Sequence, residues 1–156
     1  MDSLYTITLY LHSWNRWAVL IAGAVVIYSA FRGLSSGSPY NNVSRKSLFY
    51  FVLTLHLQLI VGLLLYFVAS PVTTHALSDF GAAMKDSTTR FWAVEHSFLN
   101  IIAIGVAQTG SILVKRKTAD RDKHRLSLIW AGIALLLIIV MIPMGMMGVD
   151  RPWFRF

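Results

Sequence analysis

Apolar residues run almost unbroken through four stretches of this chain, and polar residues collect between them. The stretches cover about Tyr5 to Arg32, Ser47 to Ala69, Phe91 to Val114 and Leu126 to Val149. Each reaches the ~20 residues that a helix needs to cross about 30 Å of hydrocarbon. The first connection, GLSSGSPYNNVSRK, is rich in Gly, Ser, Asn and Pro and reads as a true loop. Short connections force neighbouring helices to be antiparallel. The pattern therefore predicts an all-α, integral-membrane, up-down four-helix bundle as one domain over residues 1–156. Between the second and third stretches, THALSDFGAAMKD sets Leu77, Phe80 and Met84 at helical spacing, with Thr73 or Thr74 as an N-cap. That predicts a short helix lying on the membrane surface. Pro143 ends or bends the last span, IPMGMMGV reads as flexible, and PWFRF places aromatic and basic residues where an interfacial anchor belongs.

Composition agrees with this pattern. Of the 156 residues 56% are hydrophobic, and the mean hydropathy is +0.60, too apolar for an ordinary soluble domain of this size. Little chain remains outside the four spans. Cysteine is absent, which excludes disulfides, thiol catalysis, thiolate zinc sites and covalently attached c-type haem. The first span has no basic segment before it and too long an apolar run for a cleaved signal peptide, so it reads as retained.

The net charge of +7 changes the picture through its positions. Arg32, Arg45 and Lys46 flank the first connection, and Lys115, Arg116, Lys117, Arg121, Lys123 and Arg125 crowd the third. In the second, Lys85 and Arg90 are balanced by Asp79 and Asp86. The positive-inside rule then puts the first and third connections in the cytoplasm and both termini outside. The basic run KRKTADRDKHR reads as a topology signal touching anionic lipid headgroups, not as a nucleic-acid site.

Ionisable groups within membrane spans are costly and usually face the bundle interior. Here they are His12, Arg16, His56, Glu95 and His96. His75 and His124 read as loop residues, and the fourth span carries no such group. At ~1.5 Å of rise per residue, His12 and His96 fall about 6–10 Å below the outer boundary on different helices, and His56 about 14 Å deep from the inner side. His12, Arg16, Val19 and Gly23 share one stripe, and His96, Asn100, Ala103 and Ala107 another. Small residues there allow close helix packing or leave room for a flat ligand.

Imidazole suits zinc, copper, iron and nickel. A catalytic zinc wants three protein ligands, and the three histidines do not share one depth. Haem needs only axial ligands and an apolar slot between helices. Arg16, one turn from His12, matches the geometry of a propionate. The plain alternative is helix packing with hydrogen-bonded histidines. Trp14, Trp17 and Trp92 either line the site or form the interfacial belt, and the belt suits Trp92 best. Glu95 either pairs with Arg16 or serves as the titrating group of a quinone or proton site.

The pieces LHSWNRW, HLQLIVGLLLYF and RFWAVEHSFLNIIAIGVAQTGS together resemble a family of small bacterial four-helix membrane proteins described as cytochrome b-like. The likeness extends over nearly the whole chain. Its matching positions are His12, His56, Glu95 and His96. The resemblance implies b-type haem held noncovalently between helices and a place in electron transfer, in the bacterial inner membrane. His12 and His96 are then the axial pair of one haem, and His56 a ligand of a second, inner one. A further histidine is expected near the inner end of the third span. Gln108 and Thr109 stand there instead, so the inner site lacks its partner.

Two readings follow. In the first, the chain passes electrons between quinol and other membrane subunits, as an electron-transfer component and not as a stand-alone enzyme. In the second, it is a haem-free accessory subunit that braces a larger membrane assembly. A transporter is disfavoured, because the sequence shows neither an inverted repeat nor paired broken helices.

Overall fold

The computed structural model describes residues 2–143, 149 and 151–154. Helix α1 (Asp2–Ser36), with 35 residues, is the longest helix among the described residues. Gly37, at a φ of 64°, closes it in the left-handed conformation that suits a helix C-terminus. Asn41 starts α2 (Asn42–Leu64) as its N-cap, its side-chain oxygen accepting from the amides of Val43 (2.9 Å) and Ser44 (3.1 Å). Helix α2 continues into one π-helical segment, Leu65–Ala69. A second π-helical segment, Phe91–Glu95, leads into α6 (His96–Lys115). Helix α7 (Asp120–Val140) completes the bundle. Four helical stretches are thus long and apolar enough to cross a membrane.

Sequential helices are antiparallel neighbours. Helix α1 packs against α2 and α7, and α6 packs against the same two, so α1 and α6 face each other across the diagonal. Both described chain ends lie at one end of the bundle, where Trp153 and Phe154 meet Trp17. The core is built from Val19, Val26, Phe51, Leu55, Ala103, Ala107, Ala131 and Ala134, all nearly inaccessible. Small residues bring the helices close, as is usual between helices in lipid. A Cβ on Gly110 of α6 would lie 2.3 Å from Trp130 Cβ of α7, and one on Gly23 would lie 2.9 Å from the Leu135 side chain. Outward-facing Ile21, Ile60, Phe98 and Leu136 are each more than half exposed, an apolar exterior that lipid, and not water, would solvate.

The boundaries differ from the sequence expectation at the fourth span. Helix α7 begins at Asp120 and ends at Val140, not at 126 and 149. Asp120 and Asp122 in its first turn complement the positive end of the helix dipole, which lets the charged run start a helix. At the other end Pro143 disfavours helical geometry at the residue before it. The expected continuation and the flexible IPMGMMGV stretch lie, over 144–148, outside the described residues. The end of the PWFRF anchor, 155–156, lies outside them as well.

Between α2 and α6 the expected single surface helix is three short ones. They are α3 (Pro71–Ser78), α4 (Phe80–Ala83) and α5 (Ser87–Arg90). Each has its own cap: Ser70 with Pro71 at the first helical position, Asp79, and Asp86. Asp79 caps a new helix start between Leu77 and Phe80 and so interrupts the expected helical spacing, and Asp86 starts a third helix just beyond Met84. The N-cap is Ser70, one turn before the threonines; Thr73 instead donates its hydroxyl to the Tyr66 carbonyl at 2.8 Å.

His124 is not a loop residue. It sits in α7 at 1% exposure, its ring against Gly33 and edge-on to Tyr40 at 4.9 Å. Burial pushes the Tyr40 phenol above its ordinary pKa, and its hydrogen bond to the Ser127 hydroxyl pulls the other way.

Candidate functional site

A cavity of about 510 Å³ occupies the half of the bundle that holds the chain ends. His12, Arg16, Gly62, Trp92, His96 and Arg151 are among its lining residues. Most of the remaining wall is aliphatic or aromatic. The volume falls in the range of about 300–1,000 Å³ common for small-molecule sites. Exposed Phe67, Phe98 and Ile101 also border it, so the cavity communicates sideways between α2 and α6.

His12 projects from α1 and His96 from the first turn of α6. Their ring centroids stand 6.3 Å apart with the planes inclined at 56°. The two histidines that the sequence sets at one level thus approach each other across the diagonal with tilted rings. His96 is fixed by its Nδ1, which lies 3.0 Å from the Met141 carbonyl. That carbonyl belongs to the C-cap of α7, where helix carbonyls lack intrahelical donors. A carbonyl can only accept, so Nδ1 carries the proton, and in the neutral ring Nε2 is left with the lone pair. Metal-binding histidines are commonly held in this way.

His12 is set by α2. Gln58 donates through Nε2 to the His12 backbone carbonyl at 3.0 Å. Asn15 donates to the Thr54 carbonyl at 2.9 Å and to Gln58 Oε1 at 2.7 Å. Two turns of α1 are therefore tied to α2 immediately beside the histidine. Gly62 comes up against the ring: a Cβ there would lie 3.4 Å from His12 Cε1. His12 Nδ1 is buried and has no hydrogen-bond partner among the described residues.

Arg16 lines the cavity one turn along α1, and its Nη2 donates to the Trp153 carbonyl at 2.6 Å. It does not pair with Glu95. That carboxylate accepts from Arg90 Nε at 2.8 Å, a partner supplied by the adjacent α5. Glu95 is not among the described lining residues of the cavity, and its Oε2 is buried without a hydrogen-bond partner among the described residues. Trp92 lines the cavity, with its ring 5.2 Å from that of His96. Trp17 stacks on Phe154 at 5.0 Å, whereas Trp14 is about half exposed.

The chain matches no protein-family model, no curated protein and no solved structure. The site is therefore read from its own chemistry.

His56 is not brought into this group. Its Nδ1 lies 2.8 Å from the Val52 carbonyl one turn back on α2, and it does not line the cavity. Gln108 sits half-buried on α6, well along the helix from His96. Several contributors had little sequence signal. The carbonyls of Met141 and Trp153 act through the backbone, which no residue type advertises. Arg151 lies in a segment that reads as an interfacial anchor. Gln58 had a usable signal: an amide in an apolar span needs a partner.

Proposed function

We propose that the chain is a membrane-embedded b-type haem protein that carries electrons, with His12 and His96 as the axial pair of one haem. The observation that carries this reading is the 6.3 Å separation of the two imidazole centroids across an apolar cavity. A metal–imidazole bond is about 2 Å, and the ring centre lies about 1 Å beyond the bonded nitrogen. Two imidazoles on opposite sides of one metal therefore have centroids about 6 Å apart. The Met141 carbonyl on His96 Nδ1 leaves Nε2 available, as axial ligation requires. The closeness of Gly62 to the His12 ring gives that side chain a shaped seat.

Haem bound here would supply one-electron chemistry. The chain's own part is to hold the two rings, exclude water with aliphatic walls and leave an edge accessible from the lipid side. That arrangement suits exchange with quinol or with another membrane subunit. The reading is confined to one haem, because His56 stands apart with its Nδ1 on its own helix. The charge bias of its connections supports a topology with the termini outside and the 115–125 region inside, and the bacterial inner membrane is what the family resemblance implies.

The test is the absorbance spectrum of the purified full chain. A Soret band and a sharp reduced α-band are expected, and His12→Ala or His96→Ala should remove them. Colourless protein that does not take up added hemin would instead favour the haem-free accessory role.

A further inference from the structure

The two histidines of the cavity are held unequally. His96 donates its Nδ1–H to the Met141 carbonyl at 3.0 Å, and that carbonyl is fixed at the C-terminal end of α7. His12 Nδ1 is buried and meets no hydrogen-bond partner among the described residues. The reason is local. The Nδ1 edge of the ring faces Gly62 of α2, where a Cβ would lie 3.4 Å from His12 Cε1 and 3.7 Å from Nδ1. Glycine has no side-chain acceptor, and the Gly62 carbonyl already accepts from the Leu65 amide. Gln58, the tether at this level, bonds to the His12 backbone carbonyl and not to the ring.

Because Nδ1 of His12 is buried, the nitrogen that can face the cavity is Nε2, as in His96. One ring is braced from behind and the other is not. A hydrogen bond to the far nitrogen fixes the ring and makes the ligating nitrogen more basic, and losing such a partner typically costs 10–100-fold in metal affinity. An axial pair built for electron transfer alone would gain from bracing both rings.

We propose that His12 is the displaceable member of the pair, and that a small uncharged ligand of the carbon monoxide class takes its place. The proposal rests on the haem reading and adds to it a site for an exogenous ligand on the His12 side, with His96 as the fixed axial ligand. The exchange breaks one metal–nitrogen bond and forms one metal–ligand bond. Each bond uses the lone pair of its own ligand, so no electron or proton is transferred. The surroundings suit such a ligand. The wall is mostly aliphatic or aromatic, and exposed Phe67, Phe98 and Ile101 border the opening between α2 and α6. An uncharged diatomic molecule is favoured in apolar surroundings and reaches this opening from the lipid side.

The experiment uses the haem-loaded full chain in detergent micelles, reduced with dithionite and freed of unbound haem by gel filtration. Carbon monoxide is the probe, and stopped-flow Soret absorbance gives its rate of binding. If His12 must leave first, the rate rises with carbon monoxide and then levels off at the rate of His12 departure. Gly62→Ser offers a hydroxyl beside Nδ1, whereas Gly62→Ala adds the same Cβ without one. The plateau for Gly62→Ser is expected at least about tenfold below that for Gly62→Ala. Equal plateaus overturn the assignment of the displaced ligand to His12. A wild-type Soret band that does not respond to carbon monoxide overturns the displacement and leaves the axial pair standing. A linear rise without a plateau means that His12 never held the position, and overturns the axial pair as well. A wild type that shows no Soret band on loading overturns the haem reading and the proposal together.

Discussion

His12 and His96 approach to 6.3 Å between ring centroids although α1 and α6 are diagonal partners in the bundle. Diagonal helices meet only through side chains that reach the centre. Small residues fill the rest of that diagonal, with Ala103 and Ala107 buried in the core further along α6. The two imidazoles meet at the level where α7 ends, within a cavity whose wall there includes Ile138, Met141 and Ile142.

Gly62 sets how far His12 can withdraw. A Cβ there would lie 3.4 Å from His12 Cε1, an ordinary contact distance. Gly62→Ala should therefore fold, with stability unchanged or raised by up to about 1 kcal/mol from the helix preference of alanine. Gly62→Leu should push the ring across the cavity, cost about 1–3 kcal/mol by overpacking and sharply weaken hemin uptake. Unfolding in mixed micelles and a Soret titration check the pair. Equal behaviour of the two variants would show that α2 does not position His12.

The other end of the bundle offers a steric test. A Cβ at Gly33 would sit 2.3 Å from the His124 ring, which is 1% exposed. Gly33→Ala should destabilise the chain by about 1–3 kcal/mol through overpacking. Shortening the ring in a Gly33→Ala, His124→Ala double variant should recover part of that loss. Simple additivity of the two single changes would mean the contact is not the cause.

The four long helices were legible because each apolar run is long enough to cross a membrane, where a backbone without water would have few alternatives to a helix. The pairing of His12 with His96 was legible from helix rise alone. What escaped was set by the chain's return on itself. Glu95 reads as a partner for Arg16, yet Arg90, five residues earlier in the chain, takes it at 2.8 Å. His124 reads as a loop residue within a basic run, and only the close approach of Gly33 buries it. Trp92 reads as a belt residue, and nothing in the sequence signals that the Arg151 guanidinium and the His96 ring come to 5.3 and 5.2 Å from its ring. Distant partners supplied by glycines, carbonyls and the C-terminal segment leave no periodic trace.

Gln58 is expected to hold α1 to α2 at the level of His12. It donates to the His12 carbonyl and accepts from Asn15. Gln58→Leu removes both bonds, and interhelical hydrogen bonds in membranes are each worth about 0.6–2 kcal/mol. A loss of about 1–2 kcal/mol is expected. Asn15→Ala in the Gln58→Leu background should cost less than it does alone, since one shared bond is already gone. A double-mutant cycle in mixed micelles measures the coupling, and a coupling of zero would exclude the link.

Asp86 carries the pH dependence of the surface segment. Its carboxylate accepts from the Thr89 hydroxyl at 2.6 Å and from the Thr89 amide at 2.7 Å, capping α5. Both bonds favour the ionised form, so its pKa lies below the ordinary 3.8, with the hydroxyl the larger cause. The folded-state value is depressed, so the stabilising contribution is complete above the unfolded value and is lost as pH falls through the folded one. A carboxyl-carbon titration by NMR should therefore place the Asp86 midpoint below 3.8. Thr89→Val deletes the hydroxyl and keeps the amide, so the midpoint should rise while staying on the low side. Protection of the Thr89 amide should fall over the same interval in the wild type and be independent of pH there in Asp86→Asn. A midpoint unmoved by Thr89→Val would mean that the cap does not hold the carboxylate in its ionised form.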